Sequence, residues 1–591
     1  MPGHMPSVPA AVDTLLDGLA AALRAHIDPE RGLLDPIRQA PTPPDHYGNT
    51  AAALALFVRG ADDWPRARQA LQAWITTDDA RLGHLPFNRL LLVLLAQVME
   101  QRRADASELG QVRAAIRRCR LRATYPSNNW TLLAQTCRLL EAPPDRRERE
   151  SARLCKLFER WTTPAGGFID FPERPTEHLA TPLAYHHKAL FLAALASRFH
   201  DAPALADHAR RLLDWAARSW NPAGYAGGLG RSNHALFGDA CLLAAMLLLG
   251  VHESAPESVA ALATRLSAQR RPDGLLWLTP GGAQSGTASW DGYMHLSVYN
   301  AWAAAVVGMA CHLAALKPRT GDFIWRKPDP GCFHDAQAGL LSWHSPRGTH
   351  ALLTTRGQPP QSFSRNAADL RYAGGVILHL AGTDGAPRVP PPLRLKKANL
   401  LANPALAGWT PIFDVAGELH ALSDFDTVTV TPLEDGVRIE LEGQPRIVFR
   451  PPARSLLERA ISALDWRLFH GRFGRHASLH RKAAAGLRAR LSLDVSDAPV
   501  LRIASTLEIA AAPDASAIYL NPLGHALTAP LPAASGIRCT PFHSSLPDGH
   551  ACAGEPIALQ AGTQSWSFVL PLGAAHPELD AEHPGVPPCS P

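Results

Sequence analysis

Four short stretches of this chain place groups that move protons or grip an anion beside aromatic rings. Ser127-Asn128-Asn129-Trp130 offers two side-chain amides, donors that do not titrate, next to an indole face. Gly166 to Lys188, GGFIDFPERPTEHLATPLAYHHK, ends with Tyr185, His186 and His187 at the start of an apolar run. A phenol whose pKa is lowered can both remove and return a proton, and a neutral imidazole can serve as a base. On a helix adjacent residues diverge by about 100°, so only one of the two histidines shares a face with Tyr185. Gly224 to Ala240 carries Arg231, Asn233 and His234 behind glycines, and an arginine there can hold a carboxylate through two parallel hydrogen bonds. Ser289 to Asn300 adds Trp290, Tyr293, His295 and Tyr299.

Each stretch also has a plain structural reading. Ser127 or Asn128 caps a helix and Trp130 is core; Tyr185 and a histidine satisfy buried hydrogen bonds; Ser232 is a cap and Arg231 is merely exposed. Neither a phosphate-binding loop nor a strict metal-ligand spacing is present, although His178 precedes the Tyr-His-His run. The four stretches carry most weight together, because each opens a helical segment.

Those segments set the architecture. Apolar residues recur at three- and four-residue spacings over 8–27, 48–59, 64–77, 86–102, 108–121, 127–141, 147–161, 181–200, 204–217, 232–250, 256–269 and 291–316. Some, such as Leu90 to Met99 and Ala235 to Leu249, are apolar almost all round and read as inner helices. Others, such as Arg146 to Arg160, carry charge on one face and read as outer ones. Six inner–outer hairpins close most simply into an α/α toroid, an (α/α)6 ring with the inner-helix entrances on one rim. An open solenoid is the alternative, but no repeated motif of the solenoid kind is present.

After Leu316 the texture changes. GLLSWHS, HALLTTRG, GGVILHLAG, TVTVTPLEDGVRIELEG, RIVFRPP, LSLDV, VLRIASTLEIA and SWSFVLPL are strand-like, and Asp435-Gly436 reads as a hairpin turn. SLLERAISALDWRLF is a helical insertion. The fold class is therefore α+β multidomain: an α/α toroid over 1–320, an antiparallel β-sandwich over 321–575, and a Pro- and Glu-rich tail over 576–591 expected to be disordered. His334, His344, His350 and the SRNAADLRY cluster with Arg365, Asn366 and Tyr372 are further polar candidates in the second half.

Bulk composition narrows the function classes. With 591 residues and 46% hydrophobic content the chain buries large cores. Its 58 basic and 53 acidic residues give a net charge of only +5, with no long basic run of the nucleic-acid-binding kind. His470 to Arg490 is locally basic, a solvated face or a rim for an acidic polymer. Nine cysteines without a CxxC pair indicate neither a zinc knuckle nor a disulfide framework. The N-terminus lacks the basic and long apolar regions of a secretory signal, which reads as cytoplasmic, or as periplasmic or secreted if a signal has been removed. No cofactor, metal ligand set or membrane span is expected, and a structural divalent cation is left open without being indicated.

With these residues in hand the chain resembles the polysaccharide lyases built from an α/α toroid followed by an antiparallel β-sandwich. These are the heparinase II/III-like group, alginate lyases of that architecture, and the hyaluronan, chondroitin and xanthan lyases. Asn128-Asn129-Trp130 is similar to an Asn-Asn-Trp of the hyaluronan type, with Arg231 as the downstream arginine. Gly166 to Asp170 followed by Pro182 to His186 resembles the acidic loop and Tyr-His pair of heparinase II/III-like toroids. The resemblance implies β-elimination on a uronic-acid polymer such as a glycosaminoglycan or alginate. By it Asn129 neutralises the C6 carboxylate with help from Arg231 or a histidine, Tyr185 is the acid, and either Tyr185 or His186 is the base. Asn128, Trp130, His187, Asn233, His234, Trp290, Tyr293, His295, Tyr299 and Arg365 would line the substrate. The His-x-His-x-Asp setting of the heparinase-like second domain is not found.

Three other readings use the same stretches. A glycoside hydrolase on the toroid would need two carboxyl groups, drawn from Asp170, Glu173, Glu177, Asp239 and Asp291. A uronate epimerase would also begin by removing the C5 proton. A non-catalytic polysaccharide-binding protein needs only the aromatic and arginine residues.

Overall fold

The computed structural model describes residues 7–125, 127–170, 183–226, 234–279, 295–317, 323–360, 367–383, 385, 388–389, 395–449, 455–468, 481–497, 501–511, 515–521, 539–542, 551–554, 556–560 and 562–571. The Pro- and Glu-rich tail lies outside them, as do Arg231, Asn233, Trp290, Tyr293, Arg365 and all of His470 to His480. Described residues through Lys327 form one compact unit and those from Pro328 onward a second.

Among the described residues twelve long helices build the first unit: α1 (Val8–His26), α2 (Gly48–Arg59), α3 (Trp64–Ile75), α4 (Leu85–Gln101), α5 (Ala106–Arg118), α6 (Asn128–Leu140), α7 (Pro144–Trp161), α8 (Leu183–Phe199), α9 (Pro203–Arg218), α10 (Leu236–Leu248), α11 (Pro256–Ala268) and α12 (Leu296–Leu316). Even-numbered helices form an inner ring in which each packs on the next and α12 returns to α2. Each odd-numbered helix from α3 to α11 lies outside the inner helix it follows or precedes, and α1 covers α11 and α12. This is an α/α toroid, and the sequence patterns show why it forms. All thirteen residues of α10 are buried, as an inner helix surrounded on every side requires. In α7 only the stripe Glu150, Ser151, Leu154, Cys155, Phe158 and Trp161 is buried. That helix begins at Pro144, three residues before the periodic run, because proline fits the first helical position without losing a bond. By length and apolarity α12 would cross a membrane, but 78% of its most apolar window is buried inside the protein.

Short antiparallel hairpins follow α1, α7, α9 and α11, with pairings Ile27↔Leu33, Thr162↔Phe168, Trp220↔Ala226 and Arg270↔Leu276. Each turns on a glycine with positive φ: Gly32, Gly166, Gly224 and Gly274. They are a repeated device, although the sequence carries no repeated motif of the solenoid kind. Side chains from inner helices lock them: the Leu33 N–H donates to Asn49 Oδ1 at 2.8 Å, and the Leu276 N–H to Asn300 Oδ1 at 2.7 Å. Two hairpins also end in an aspartate that caps a neighbouring inner helix. Asp35 accepts from the Ser297 N–H at 3.0 Å and Asp170 from the Asn129 N–H at 2.9 Å, each donor being the second residue of its helix. A carboxylate there meets orphan amide donors and the positive end of the helix dipole.

In the second unit all named pairings are antiparallel. One sheet orders strands 377–381, 350–354, 340–344 and 331–335; a second orders 446–447, 418–421, 412–415, 515–519 and 557–558; a third orders 427–433, 436–443, 488–496, 502–511 and 562–571. In the third sheet Val437, Ile439, Leu441, Leu491, Leu493 and Val495 are buried and alternate with outward residues, the period-two pattern of a half-buried sheet. The turn joining its first two strands is Glu434-Asp435, one residue earlier than the Asp-Gly signal suggested. Gly436 is the first paired residue, where a Cβ would lie 2.3 Å from the Val495 carbonyl oxygen. The helical insertion forms over Leu456–Leu468. Of the basic stretch, Arg481 is buried and donates to the Ile447 and Val448 carbonyls, while Arg490 pairs with Glu440 at 2.6 Å.

Two glycines separate helix propensity from close approach. Gly110 lies exposed inside α5 with open space around its Cβ position, whereas Gly224 has φ +88 and its Cβ would sit 2.6 Å from the Ala261 carbonyl oxygen. Gly110→Ala is expected to stabilise the protein by about 0.5–1 kcal/mol, and Gly224→Ala to destabilise it by about 1–3 kcal/mol. Denaturant unfolding of the two variants checks this; the same sign for both would contradict it.

Candidate functional site

The inner-helix entrances meet in one cluster of rings. Tyr47, just before α2, stacks on Phe87 of α4 at 4.6 Å between centroids. Phe87 meets Trp130 of α6 edge-on at 5.5 Å and Phe237 of α10 at 6.4 Å. Phe237 in turn touches Tyr185 of α8 at 6.4 Å, Tyr299 of α12 at 5.6 Å and Trp302 at 5.2 Å. All six inner helices thus contribute, α2 through the residue that precedes it and the others through their first two turns. Three histidines join the same end: His84 stacks on His46 at 4.2 Å and reaches Trp130 at 5.0 Å, and His295 meets His46 edge-on at 4.6 Å. Burial is the main cause that lowers the pKa of all three, His46 to about 3, so they are unprotonated at neutral pH.

Beneath the rings lies a buried polar chain. Lys188, on α8 one turn after Tyr185, has no exposure to solvent; its Nζ donates to Asn129 Oδ1 at 2.8 Å and sits 4.0 Å from the centre of the Phe87 ring. Asn129 Nδ2 donates to Asp170 Oδ1 at 2.7 Å and to Ser127 Oγ at 3.0 Å. Burial drives the Lys188 pKa from 10.5 down to about 7, against the opposing pull of Cys241, Asp170 and Cys137.

Of the residues singled out from sequence, Trp130, Tyr185, His295 and Tyr299 come together on the aromatic floor, and Asn129 lies below it. The others described have structural partners. Asn128 Nδ2 donates to the Ile169 carbonyl at 2.8 Å. His186 is fully buried; its Nδ1 accepts the Phe168 N–H at 3.1 Å and its Nε2 lies 3.0 Å from the Leu212 carbonyl, which it therefore faces as donor. It does for the α7 hairpin what Asn49 and Asn300 do for theirs, and no lone pair is left to take a proton from a ligand. Both Nδ2 hydrogens of Asn129 are likewise engaged, which leaves none for a substrate carboxylate. His187 is 1% exposed between α8 and α10, with Nδ1 3.8 Å from Asp239 Oδ1, and burial holds its pKa well below the usual value. His234 is buried against Tyr225 at 5.2 Å. Asp239 is ion-paired with Arg265, which also donates to the Gly224 carbonyl.

His46, Tyr47, His84, Phe87, Phe237, Trp302 and Lys188 were not singled out. The signal for the first four was present: Asp45-His46-Tyr47 and His84 to Phe87 open helices already read as segments 48–59 and 86–102, the same polar-aromatic entrance seen four times elsewhere. Lys188 follows Tyr185 by three residues, the spacing that places two side chains on one helix face.

No protein-family model matches the sequence, and no curated protein matches it. Among solved structures, a polysaccharide lyase is similar over 53% of this chain and 99% of its own, at 11% identity and a TM-score of 0.37. A cellobiose 2-epimerase from Spirochaeta thermophila is similar over 52% and 97%, at 14% identity and a TM-score of 0.38. An α-1,6-mannanase of Salegentibacter is similar over 51% and 99%, at 8% identity and a TM-score of 0.37. At these values the likenesses assign neither substrate nor mechanism.

The buried amine gives the site a stability signature. Between pH 7 and 10.5 the unfolded chain holds a proton on Lys188 that the folded chain has released. The stability is therefore whole above 10.5 and is lost as the pH falls toward 7. Lys188→Met is expected to remove a slope of up to about 1.4 kcal/mol per pH unit. Urea unfolding of both proteins across that window checks it, and identical slopes would exclude a neutral buried amine.

Proposed function

We propose that the protein is a carbohydrate-active enzyme, and more narrowly a polysaccharide lyase that cleaves a uronic-acid-containing polymer by β-elimination at the inner-helix entrances. The observation that carries this reading is the division of labour among ionisable groups. Tyr185 and three unprotonated histidines lie on the aromatic floor, whereas the two described carboxylates a hydrolase would draw on, Asp170 and Asp239, are buried as a helix cap and an ion-pair partner. Trp130, only half-buried, offers its face to a sugar ring.

In this scheme the Tyr185 phenol protonates the leaving O4. The C5 proton goes to the Tyr185 phenolate or to the His295 imidazole, the ring of the three that stands beside the others as a separate base candidate. Asn129 acts at one remove, by holding Lys188 and the start of α6 in place, and Arg231 is the residue proposed to meet the uronate carboxylate. Electrostatic stabilisation of the enolate-like intermediate supplies much of the acceleration. The second unit is read more finely as an antiparallel β-sandwich, and the substrate as an acidic polymer.

Screening hyaluronan, chondroitin, heparan, alginate, polyglucuronate and xanthan for the ultraviolet absorbance of an unsaturated uronate tests the reading. Tyr185→Phe is expected to lower kcat by about 100-fold or more with KM little changed. Reducing ends released without that absorbance, and abolished by Asp170→Asn but not by Tyr185→Phe, would establish a hydrolase instead.

A further inference from the structure

We propose that Asp45, His46 and His84 form a binding site for a divalent transition metal of the zinc class at the inner-helix entrances. One ligand atom from each of the three residues lies within 4.8 Å of the other two. Tetrahedral zinc needs about 3.3 Å between ligand atoms at its usual bond lengths. The exposed Asp45 side chain is free to rotate and close that spread.

The ring of His84 is already oriented as a ligand. Its Nδ1 lies 2.6 Å from the Asp45 carbonyl oxygen, so Nδ1 carries the proton and the Nε2 lone pair is left for a metal. A backbone carbonyl in that role is the usual second partner of a metal-bound histidine. His46 supplies the independent sign of a missing ligand. It is only 8% exposed, and its Nδ1 is buried without a hydrogen-bond partner among the described residues. A buried nitrogen left unsatisfied is a standing cost to the fold, which a coordinate bond removes. His295, edge-on to His46 at 4.6 Å, is 6% exposed and its Nδ1 is in the same condition.

Two imidazoles and a carboxylate select zinc or a similar ion over calcium or magnesium, which favour oxygen ligands. Three protein ligands also leave a coordination position open, the arrangement of catalytic rather than structural zinc sites. An anionic oxygen is the natural occupant of that position. The metal would then assist in neutralising a uronate carboxylate, a task for which Asn129 has no N–H left. That role rests on the lyase reading; the binding itself does not.

The test is titration of the chelator-treated full chain with Co2+ and Zn2+, followed by visible absorption of the cobalt form and by calorimetry. One equivalent should bind with the ligand-field bands of a four- or five-coordinate site. His46→Ala and His84→Gln should each weaken that equivalent by at least about 10-fold, while Tyr185→Phe keeps it. Circular dichroism and thermal melting confirm that each variant is folded, and Asp45→Asn, at an exposed position, provides a second measure of the same loss. No stoichiometric binding, or binding unchanged in all three ligand variants, would overturn the proposal. Metal binding without cleavage of any uronate polymer would leave the site standing and remove the lyase reading, and cleavage that survives metal removal would overturn the metal's part in neutralising the carboxylate while the titration alone decides the site.

Discussion

A primary amine with no access to water is the constraint around which the inner-helix entrances are arranged. Lys188 has two close supports, the Asn129 amide oxygen and the face of Phe87, with Asp170 one residue further along the chain of bonds. Each support comes from a different inner helix or hairpin, so the amine fixes α4, α6 and α8 relative to one another. Desolvation dominates its energetics, and an amide oxygen with a π face gives only part of the solvation that water would supply. Removing any one partner exposes the remainder of that cost, which makes the arrangement intolerant of small changes.

Above that layer the residues divide by the kind of work they do. Asp35 and Asp170 end corresponding hairpins, Gly32-Leu33-Leu34-Asp35 and Gly167-Phe168-Ile169-Asp170, and each caps the inner helix on the neighbouring side of the ring. Asn49, His186 and Asn300 lock their hairpins from the helix side. What these architectural groups leave over is a set of rings and imidazoles contributed by all six inner helices. The functional proposals rest on that remainder.

Much of the helical architecture was legible in the sequence because burial on every side and burial on one stripe leave different periodicities. The all-apolar run of α10 and the charged face of α7 are the clearest instances. The hairpin locks were not legible, since a side chain that binds backbone may be an Asn at one position and a His at another. The same imidazole that would serve as a base serves equally well as an acceptor and donor between two peptide groups, and only its neighbours decide. Adjacent His186 and His187 show this: one ties a hairpin to α9, the other lies against α10, and neither joins the rings near Tyr185. Reading every inner-helix entrance on equal terms would have found His46 and His84, because their signal matched the four stretches already chosen.

The ring also carries its own history. Asp35 binds Ser297 across 262 positions of sequence, and α2 packs on α12. During synthesis, therefore, the apolar flank of α2 waits for nearly the whole unit to be made before its second neighbour exists. Helices α2 to α10 can dock in order as they emerge, but the ring stays open until about residue 316 has left the ribosome. Closure of so long a loop is entropically slow, and an open arc of apolar helices invites contact with other chains. The geometry that gathers six helix starts into one site thus makes the last helix the gatekeeper of the first.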